Sequence, residues 1–282
     1  MKDIFSIEKL YPHQGKIKSH FENHYDSVFI AFLSFFKMNS EAQSTQLTKH
    51  SLVNHQQAIN EFDALKNISA TNCEIYSYNN EDYPTDEEIY HDGGVVSWKS
   101  ITDNSTLNNF QEVYKALKTS IGAYRKIFQR PYLLDMLMNY TQENQIWHPV
   151  KGEFDSFSKI AIYRAFKQCK KPDISFTDEF FEETISINLN ECSELSFLTS
   201  CWSKYKYIYS TDKSILFAIE WDSFFFLIAA EEQLMKQILE THLFEGFFCD
   251  KNTEHPWEFG ENELQSLLTL EELLENSSTP KS

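Results

Sequence analysis

The sequence is poor in glycine, in basic residues and in long apolar runs, and each shortage argues against a class of protein. Only 7 of the 282 residues are glycine, so few loops can approach phosphate groups closely. Lys and Arg number 25 against 42 Asp and Glu, a formal net charge of −17. This charge repels nucleic acid and anionic lipid, so we expect neither nucleic acid nor membrane as a partner. It would attract a basic partner protein.

Signals for secretion, membrane insertion and disulfide bonding are also missing. The longest uncharged apolar run, residues 223–230, is far too short to span a bilayer. The first residues, MKDIFSIEKLYPHQGK, contain no apolar core followed by a small-residue cleavage site. The 5 cysteines are odd in number and form no CxxC pair. These features predict a cytoplasmic protein.

The sequence contains none of the common catalytic or metal motifs. GxSxG, the P-loop, GxGxxG and HExxH are absent. His20 and His24 have helical spacing, but two imidazoles do not complete a zinc site. Glu88 and His91 form one Glu-x-x-His without the second copy that a di-iron bundle needs. We predict no metal and no cofactor.

The aromatic content supplies a core, and the C-terminal half reads as a sheet. Hydrophobic residues make up 41% of the chain and include 24 Phe and 14 Tyr. Tyrosines alternate with lysine and isoleucine over residues 204–209, the period of a half-exposed strand. TDKS (211–214) predicts a turn into a partner strand, forming an antiparallel hairpin. The inward face of that partner would carry Ile215, Phe217, Ile219 and Trp221.

The stretch EWDSFFFLIAAEEQLMKQILE, residues 220–240, continues this pattern. A tight turn at 220–222 would lead into a third strand, and a helix would begin at Ala229. FEGFFC, residues 244–249, then returns as a strand. We therefore predict an α+β fold, with a mostly antiparallel sheet in the C-terminal half packed against several helices.

Helix signals concentrate between residues 50 and 170. Periodicity predicts helices over 52–65 and 105–129, and Pro131 opens another at its first turn. Asp155 or Ser156 would cap the next helix. In YPTDEEIYHDGG, Thr85 and Glu88 form a capping box, and Gly93 or Gly94 would end that helix in a left-handed conformation. YDSVFIAFLSFF, residues 25–36, predicts a buried strand.

We predict one α+β domain over residues 1–260, with residues 1–70 its least defined part. Residues 261–282 carry leucines at helical steps among glutamates, and end in NSSTPKS. This pattern predicts an amphipathic tail that frays at its end.

Two groups of side chains are candidates for function. Glu220 and Asp222 would share one strand face, and could then do acid–base work, if the strand runs through them. A turn would leave them solvated, which their residue types favour. His255 could serve as a base beside Cys249, although a free cysteine is more often buried in a core. The candidate catalytic residues are thus Glu220, Asp222 and His255.

The loop CDKNTEHPWEF concentrates polar and aromatic residues near a sheet edge. Such a composition is common at binding surfaces. The candidate binding residues are Asp250, His255, Trp257 and Phe259. The same rings could instead hold the loop in place.

Four segments together resemble an uncharacterised bacterial family, domain of unknown function 2711. They are YPTDEEIYHDGGVVSWKSI, LKTSIGAYRKIF, WDSFFFLIAA and FEGFFCDKNTEHPWEF. The resemblance covers about residues 75–259. It implies a bacterial cytoplasmic protein and assigns neither an activity nor functional residues.

Two hypotheses about function follow. The first is a non-catalytic protein-binding module for a basic partner, similar in acidity and aromatic content to bacterial immunity proteins. The second is an enzyme of unrecognised class that uses Glu220, Asp222, His255 or His91 around a pocket. A third hypothesis is that the leucine-rich tail docks as a helix on a partner.

Overall fold

The computed structural model describes residues 10–13, 15–40, 45–51, 74–78, 82–121, 124–200 and 203–278. The chain forms two compact units. The first unit comprises residues 1–41, 84–101 and 146–257, and the second comprises 42–83, 102–145 and 258–282. The single domain expected over 1–260 and the fraying of the tail stay predictions. The helix predicted at 52–65 lies outside the described residues.

The described residues contain both helices and strands. The α-helices are α1 Ile17–Phe21, α2 Asp86–Asp92, α3 Trp98–Asn104, α4 Phe110–Thr119, α5 Pro131–Glu143, α6 Ser156–Gln168, α7 Glu194–Thr199, α8 Glu232–Leu239 and α9 Glu261–Ser278. The strands are β1 Ser27–Phe32, β2 Phe35–Met38, β3 Thr48–Ser51, β4 Glu74–Ser77, β5 Gly93–Val96, β6 Asp173–Asp178, β7 Thr184–Asn188, β8 Tyr205–Ser210, β9 Ile215–Ile219, β10 Phe225–Ala230 and β11 Gly246–Phe248. None of these described helices is long and apolar enough to cross a bilayer.

A seven-stranded sheet dominates the first unit. Its strand order is β11-β1-β10-β9-β8-β6-β7, and every neighbouring pair is antiparallel. Six of its strands lie in the C-terminal half, and β1 inserts between β11 and β10. The fold is therefore α+β with a mostly antiparallel C-terminal sheet, as the sequence predicted. The same unit also contains a two-stranded sheet, in which β2 pairs with β5.

The Phe-rich stretch is a buried strand followed by a helix, as predicted. β9 and β10 pair through Phe226↔Ile219 to Ala230↔Ile215, and a turn at 220–223 joins them. All six side chains of β10 are buried. One boundary was wrong: Ala229 and Ala230 belong to the strand, and the helix begins only at Glu232. Both alanines pair with β1 and β9, so the ladder extends the strand.

Helices cover one face of this sheet. Phe217, Phe226 and Ile228 share a buried cluster with side chains of α6, α7 and α8. The ring centroids of Phe166 on α6 and Phe217 on β9 lie 5.3 Å apart. The opposite face of the central strands is also buried, because Phe32 stacks on Trp98 with centroids 4.2 Å apart. Burial on both faces explains why β9 and β10 read as continuous apolar runs.

Local capping signals set the helix starts. Thr85 and Glu88 form the predicted capping box of α2, and Asp155 caps α6. The predicted left-handed end of α2 was wrong, because Gly93 is extended (φ −80°) and opens β5 directly. A Cβ on Gly93 would lie 2.5 Å from the Ile89 carbonyl oxygen, so close packing accounts for this glycine.

The predicted helix over 105–129 is shorter in the structure. Asn109 caps α4 at its start, and α4 ends at Thr119. Thr119 and Ser120 donate their hydroxyls to the Lys115 and Leu117 carbonyls, which satisfies acceptors in the last turn. A 3-10 turn at Lys126–Phe128 follows, and Pro131 starts α5 as predicted.

The second unit contains α4, α5 and α9 with the β3–β4 ribbon. α9 is held to the α4–α5 region by ion pairs from Lys115 and Arg130 to Glu263 and from Arg125 to Glu271. Phe259 is buried under Lys115, whose Nζ lies 4.5 Å from the ring centroid. The leucine-rich segment is thus helical, in agreement with its spacing.

Candidate functional site

An open hollow of about 670 Å³ lies in the first unit between the β6–β7 loop and the β9–β10 turn. Acidic side chains, lysines and two aromatic rings line it, and we call it the acid–aromatic hollow. Its lining consists of Asp178, Glu179, Phe180, Glu182, Glu183, Ser203, Lys204, Lys206 and Trp221. Phe180 is 70% exposed and Trp221 63%, so both rings present apolar surface to solvent at this hollow.

The buried Asp178 carboxylate organises the β6–β7 loop. Its two oxygens accept hydrogen bonds from the backbone N–H groups of Phe180 (2.8 Å), Glu182 (3.2 Å) and Glu183 (2.6 Å). Phe181 adopts a left-handed conformation (φ 60°), which reverses the chain between these donors. The loop therefore holds Phe180 outward on a hydrogen-bonded frame.

The β9–β10 turn presents the second ring. Trp221 was predicted on the inward face of β9, and this was wrong because the strand ends at Ile219. A Ser223 N–H to Glu220 carbonyl bond of 3.0 Å closes the turn and leaves Trp221 outward. The turn is backed by Gly152, whose N–H donates to the Ser223 carbonyl at 2.7 Å. Lys151 pairs with Asp222 at 2.6 Å.

The hollow is net acidic, since four carboxylates face two lysines. Lys204 pairs with Glu183 at 2.6 Å, and Tyr205 donates to the same carboxylate at 2.7 Å. These two hydrogen bonds hold the pKa of Glu183 below its ordinary value, and the one from Lys204 has the larger effect. Lys206 donates to the Gly152 and Ser203 carbonyls, and burial lowers the pKa of its ammonium group. In the described part of the chain, Glu179 and Glu182 form no ion pair.

Two of the predicted catalytic residues, Glu220 and His255, lie close together on the other side of the β9–β10 turn. His255 Nδ1 lies 3.7 Å from one carboxylate oxygen of Glu220, and His13 Nδ1 lies 3.4 Å from the other. The His255 ring packs between Tyr11 and Phe225, with centroid distances of 5.0 and 5.9 Å. A carboxylate between two imidazoles can orient a ring and exchange protons with it.

The remaining catalytic candidates lie in other environments. Asp222 turns to Lys151, so the two turn carboxylates do not act on one strand face. His91 lies in the last turn of α2. Cys249 is buried, and this burial raises the pKa of its thiol to about 12, which opposes a thiolate nucleophile. In the described segments, no group of three or more His, Cys, Asp or Glu side chains is arranged to hold a metal ion.

The residues of the predicted binding loop lie in different environments. Asp250 accepts from the Asn252 N–H and the Thr253 hydroxyl, which closes a turn. Trp257 packs on Phe247 in the first unit, with centroids 5.0 Å apart. Phe259 is buried in the second unit. The role of these residues in binding stays a prediction.

The residues that line the hollow were missed at the sequence level. The signal lay in DEFFEE, residues 178–183, where carboxylates flank two phenylalanines between two strands. A phenylalanine in an acidic turn between strands has little core to fill, which could have marked Phe180 as a surface ring. Its neighbour Phe181 packs on Tyr207, with ring centroids 5.2 Å apart.

The fold and the hollow define an acidic α+β protein with a surface site on an antiparallel sheet. Residues 67–259 match the family described as "Protein of unknown function (DUF2711)". The chain belongs to this family, which the four sequence segments had indicated. The matched segment contains the whole hollow, Glu220 and His255. His13 and strand β1 lie outside it.

A curated relative is the uncharacterized protein YwbB of Bacillus subtilis (strain 168). The two are 23% identical over 177 residues, which cover 62% of this chain and 77% of the relative. No solved structure matches the chain at a significant level.

Proposed function

We propose that this chain is a non-catalytic protein-binding module that takes a basic partner protein at the acid–aromatic hollow, in the manner of an acidic immunity protein. One observation carries the proposal: two exposed aromatic rings stand over a cavity with four carboxylates. Aromatic residues are enriched where binding energy concentrates, and carboxylates select a cationic partner and speed its encounter.

The construction of the hollow supports this role. The Asp178 carboxylate accepts from backbone N–H groups of one ring-bearing turn, and the Gly152 N–H donates to a backbone carbonyl of the other. Little freedom would therefore be lost on binding. Glu179 and Glu182, which form no ion pair within the described residues, can pair with Lys or Arg without breaking an existing bridge. The net charge of −17 adds long-range attraction.

We further propose that the protein acts in the cytoplasm of a bacterium. In the described part of the chain, Cys169, Cys192 and Cys249 are free thiols, as is usual in a reducing compartment. The relative from Bacillus subtilis supports a bacterial source.

The test is a thermal-shift and pull-down screen against the proteins encoded beside this gene. A true partner raises the melting temperature by mass action. Trp221→Ala and the double variant Glu179→Lys/Glu182→Lys should each weaken its affinity by about tenfold or more. Glu22→Lys/Asp26→Lys is the matched control, since both residues are exposed carboxylates of the first unit away from the hollow. Equal affinity in the hollow and control variants would refute the proposal.

A second candidate function rests on one other observation. Glu220 lies between His255 and His13, and a carboxylate–imidazole pair can serve as general base. An enzyme using this pair should retain its fold and lose turnover in Glu220→Gln and His255→Gln alike. Retained partner binding with both substitutions would favour the binding module.

A further inference from the structure

Strand β7 ends the seven-stranded sheet, and none of the described strands pairs with its outer edge. Its sequence, TISIN, has no charged residue and no proline, the usual devices that block an exposed edge. Thr184 and Ser186 are exposed. The other edge strand, β11, is only three residues long and so offers little to pair with.

The register identifies which backbone groups point outward. The Leu189 N–H donates to the Pro172 carbonyl, and the Asp178 N–H donates to the Glu183 carbonyl. Hydrogen-bonded and non-hydrogen-bonded residue pairs alternate along an antiparallel ladder. The backbone N–H and C=O groups of Ile185 and Ile187 therefore also point toward β6. The N–H and C=O groups of Thr184 and Ser186 therefore point away from β6. Within the described chain, no hydrogen bond is formed by these backbone groups.

The side chains hold β7 flat against β6. The Ser186 hydroxyl lies 2.8 Å from that of Ser175, and the Thr184 hydroxyl lies 2.9 Å from that of Thr177. Thr177 in turn contacts the Tyr209 hydroxyl at 3.0 Å on β8. On the other face, Ile185 and Ile187 pack against the core. The edge is thus a formed strand, ready to accept another.

Charge selects the kind of strand that can pair here. From Asp178 to Glu194 the chain has six acidic residues and no Lys or Arg. Asp178 is buried, and Glu183 and Glu194 pair with Lys204 and Arg164. Within the described residues, Glu179, Glu182 and Glu191 form no ion pair. In an antiparallel pair of two β7 strands centred on Ser186, Glu182 of each copy would lie opposite Asn190 and beside Glu191 of the other. A second copy of this chain would therefore be repelled, whereas Lys or Arg at the ends of an incoming strand would be attracted.

We propose that an extended, basic segment of the partner protein adds to the sheet beside β7, pairing with Thr184 and Ser186 while its cations reach the carboxylates at both ends. This inference rests on the proposed function, because Glu182 and Glu183 belong both to the hollow and to the approach to β7. Main-chain hydrogen bonds supply affinity in such strand addition, and the flanking charges supply selectivity.

The test uses the full chain and a synthetic peptide of about ten alternating Lys and Val residues as the strand probe. The amide exchange of Thr184 and Ser186 should slow by about tenfold or more at saturating peptide. The same peptide N-methylated at alternate residues should give no such protection. Binding at the hollow is followed separately by the fluorescence of Trp221. This signal is obtained by subtracting the spectrum of a Trp221→Phe variant from that of the wild type.

Substitutions at the edge provide the matched comparison. Ser186→Pro removes an outward N–H, which an edge strand tolerates, and should abolish protection at Thr184. Ser186→Ala keeps that N–H and should retain protection. If the proline variant unfolds, Ser186→Lys takes its place in the test. Its positive charge repels the basic strand, so protection at Thr184 should again be lost.

The outcomes separate the two proposals. Quenching of Trp221 without protection at β7 refutes strand addition and leaves the binding module standing. Protection at β7 that persists in Trp221→Ala and in Glu179→Lys supports strand addition and counts against the hollow. No protection with any basic strand overturns the inference. If the protein is a dimer whose Thr184 and Ser186 amides are already protected without peptide, the inference is also overturned. The strand beside β7 would then come from a second copy of the chain.

Discussion

At the residue scale, single atoms decide the shape of the β9–β10 turn. Gly152 has a left-handed backbone (φ +69°), and a Cβ there would lie 1.7 Å from the carbonyl oxygen of Trp221. Backbone cannot move aside as a side chain can, so only glycine fits. The exposed position of Trp221 therefore depends on a residue far from it in sequence.

We predict that Gly152→Ala destabilises the first unit by about 3 kcal/mol or more, because the left-handed strain and the clash act together. Chemical denaturation measures the free energy of unfolding. Gly260→Ala is the control, since a Cβ at Gly260 meets no atom within 4 Å, and it should change stability by less than about 1 kcal/mol. Similar stabilities for the two variants would contradict this account.

Glu258 is a second residue with a large local effect. It is 5% exposed, and Tyr124 donates to one of its oxygens at 3.5 Å. Its other oxygen is buried without a hydrogen-bond partner among the described residues. Burial raises the pKa of this carboxyl from 4.5 to about 7, against the opposing effect of Lys118 and Lys115. The folded chain therefore holds this proton more tightly than the unfolded chain does.

We predict that this group stabilises the protein fully below pH 4.5 and that its contribution is lost as the pH rises through about 7. Glu258→Gln removes the titration, so the wild type should lose on the order of 3 kcal/mol relative to the variant over that range. Urea denaturation at several pH values measures the difference. Parallel pH profiles for the two proteins would show that Glu258 does not titrate in this way.

At the scale of elements, caps and corners fix where helices begin. The half-buried Asp155 carboxylate accepts from the Phe157 and Ser158 N–H groups at the start of α6 and from the Ser158 hydroxyl. It also accepts from the Ser34 N–H at 3.0 Å, between β1 and β2. One side chain thus joins a helix start to a strand corner.

We predict that Asp155→Ala costs about 3 kcal/mol of unfolding free energy, because three partly buried backbone N–H groups lose a charged acceptor at once. Ser193→Ala removes an exposed cap of α7 with one backbone donor, Ser196, and should cost only about 1 kcal/mol. Thermal and denaturant unfolding of both variants provide the comparison. A cost for Asp155→Ala no greater than that of Ser193→Ala would mean that the Ser34 contact contributes nothing.

At the scale of the whole molecule, the charge of −17 opposes compactness as well as attracting cations. The described ion pairs offset only part of this repulsion, and several of them, such as Lys236 with Glu232, are exposed and weak. Salt screens repulsion among the excess carboxylates over distances near the Debye length.

We predict that raising NaCl from about 20 mM to about 500 mM increases the melting temperature by a few degrees, since screening relieves net repulsion more than it weakens surface pairs. Differential scanning calorimetry measures the shift, and a choline salt at equal ionic strength is the control for specific sodium binding. A fall in melting temperature would show that the surface ion pairs outweigh the repulsion.

The sequence by itself determined the features that depend on a few neighbouring residues. The capping box of Thr85 and Glu88, Pro131 at a helix start, the Asp155 cap and the β8–β9 hairpin are all present. The burial of the Phe-rich strand followed as well, because an apolar run of that length has few alternatives in a water-exposed chain. Four quoted segments also sufficed to indicate the family.

Only the tertiary structure decided which distant groups meet. His13 reaches Glu220 across 207 positions, and β1 enters the sheet between β10 and β11. Periodicity describes which face of a strand is apolar but carries no information on its neighbour, so neither result could be derived from spacing. The outward turn of Trp221 was missed for the same reason, because the space that Gly152 leaves for that turn arises from packing between remote segments.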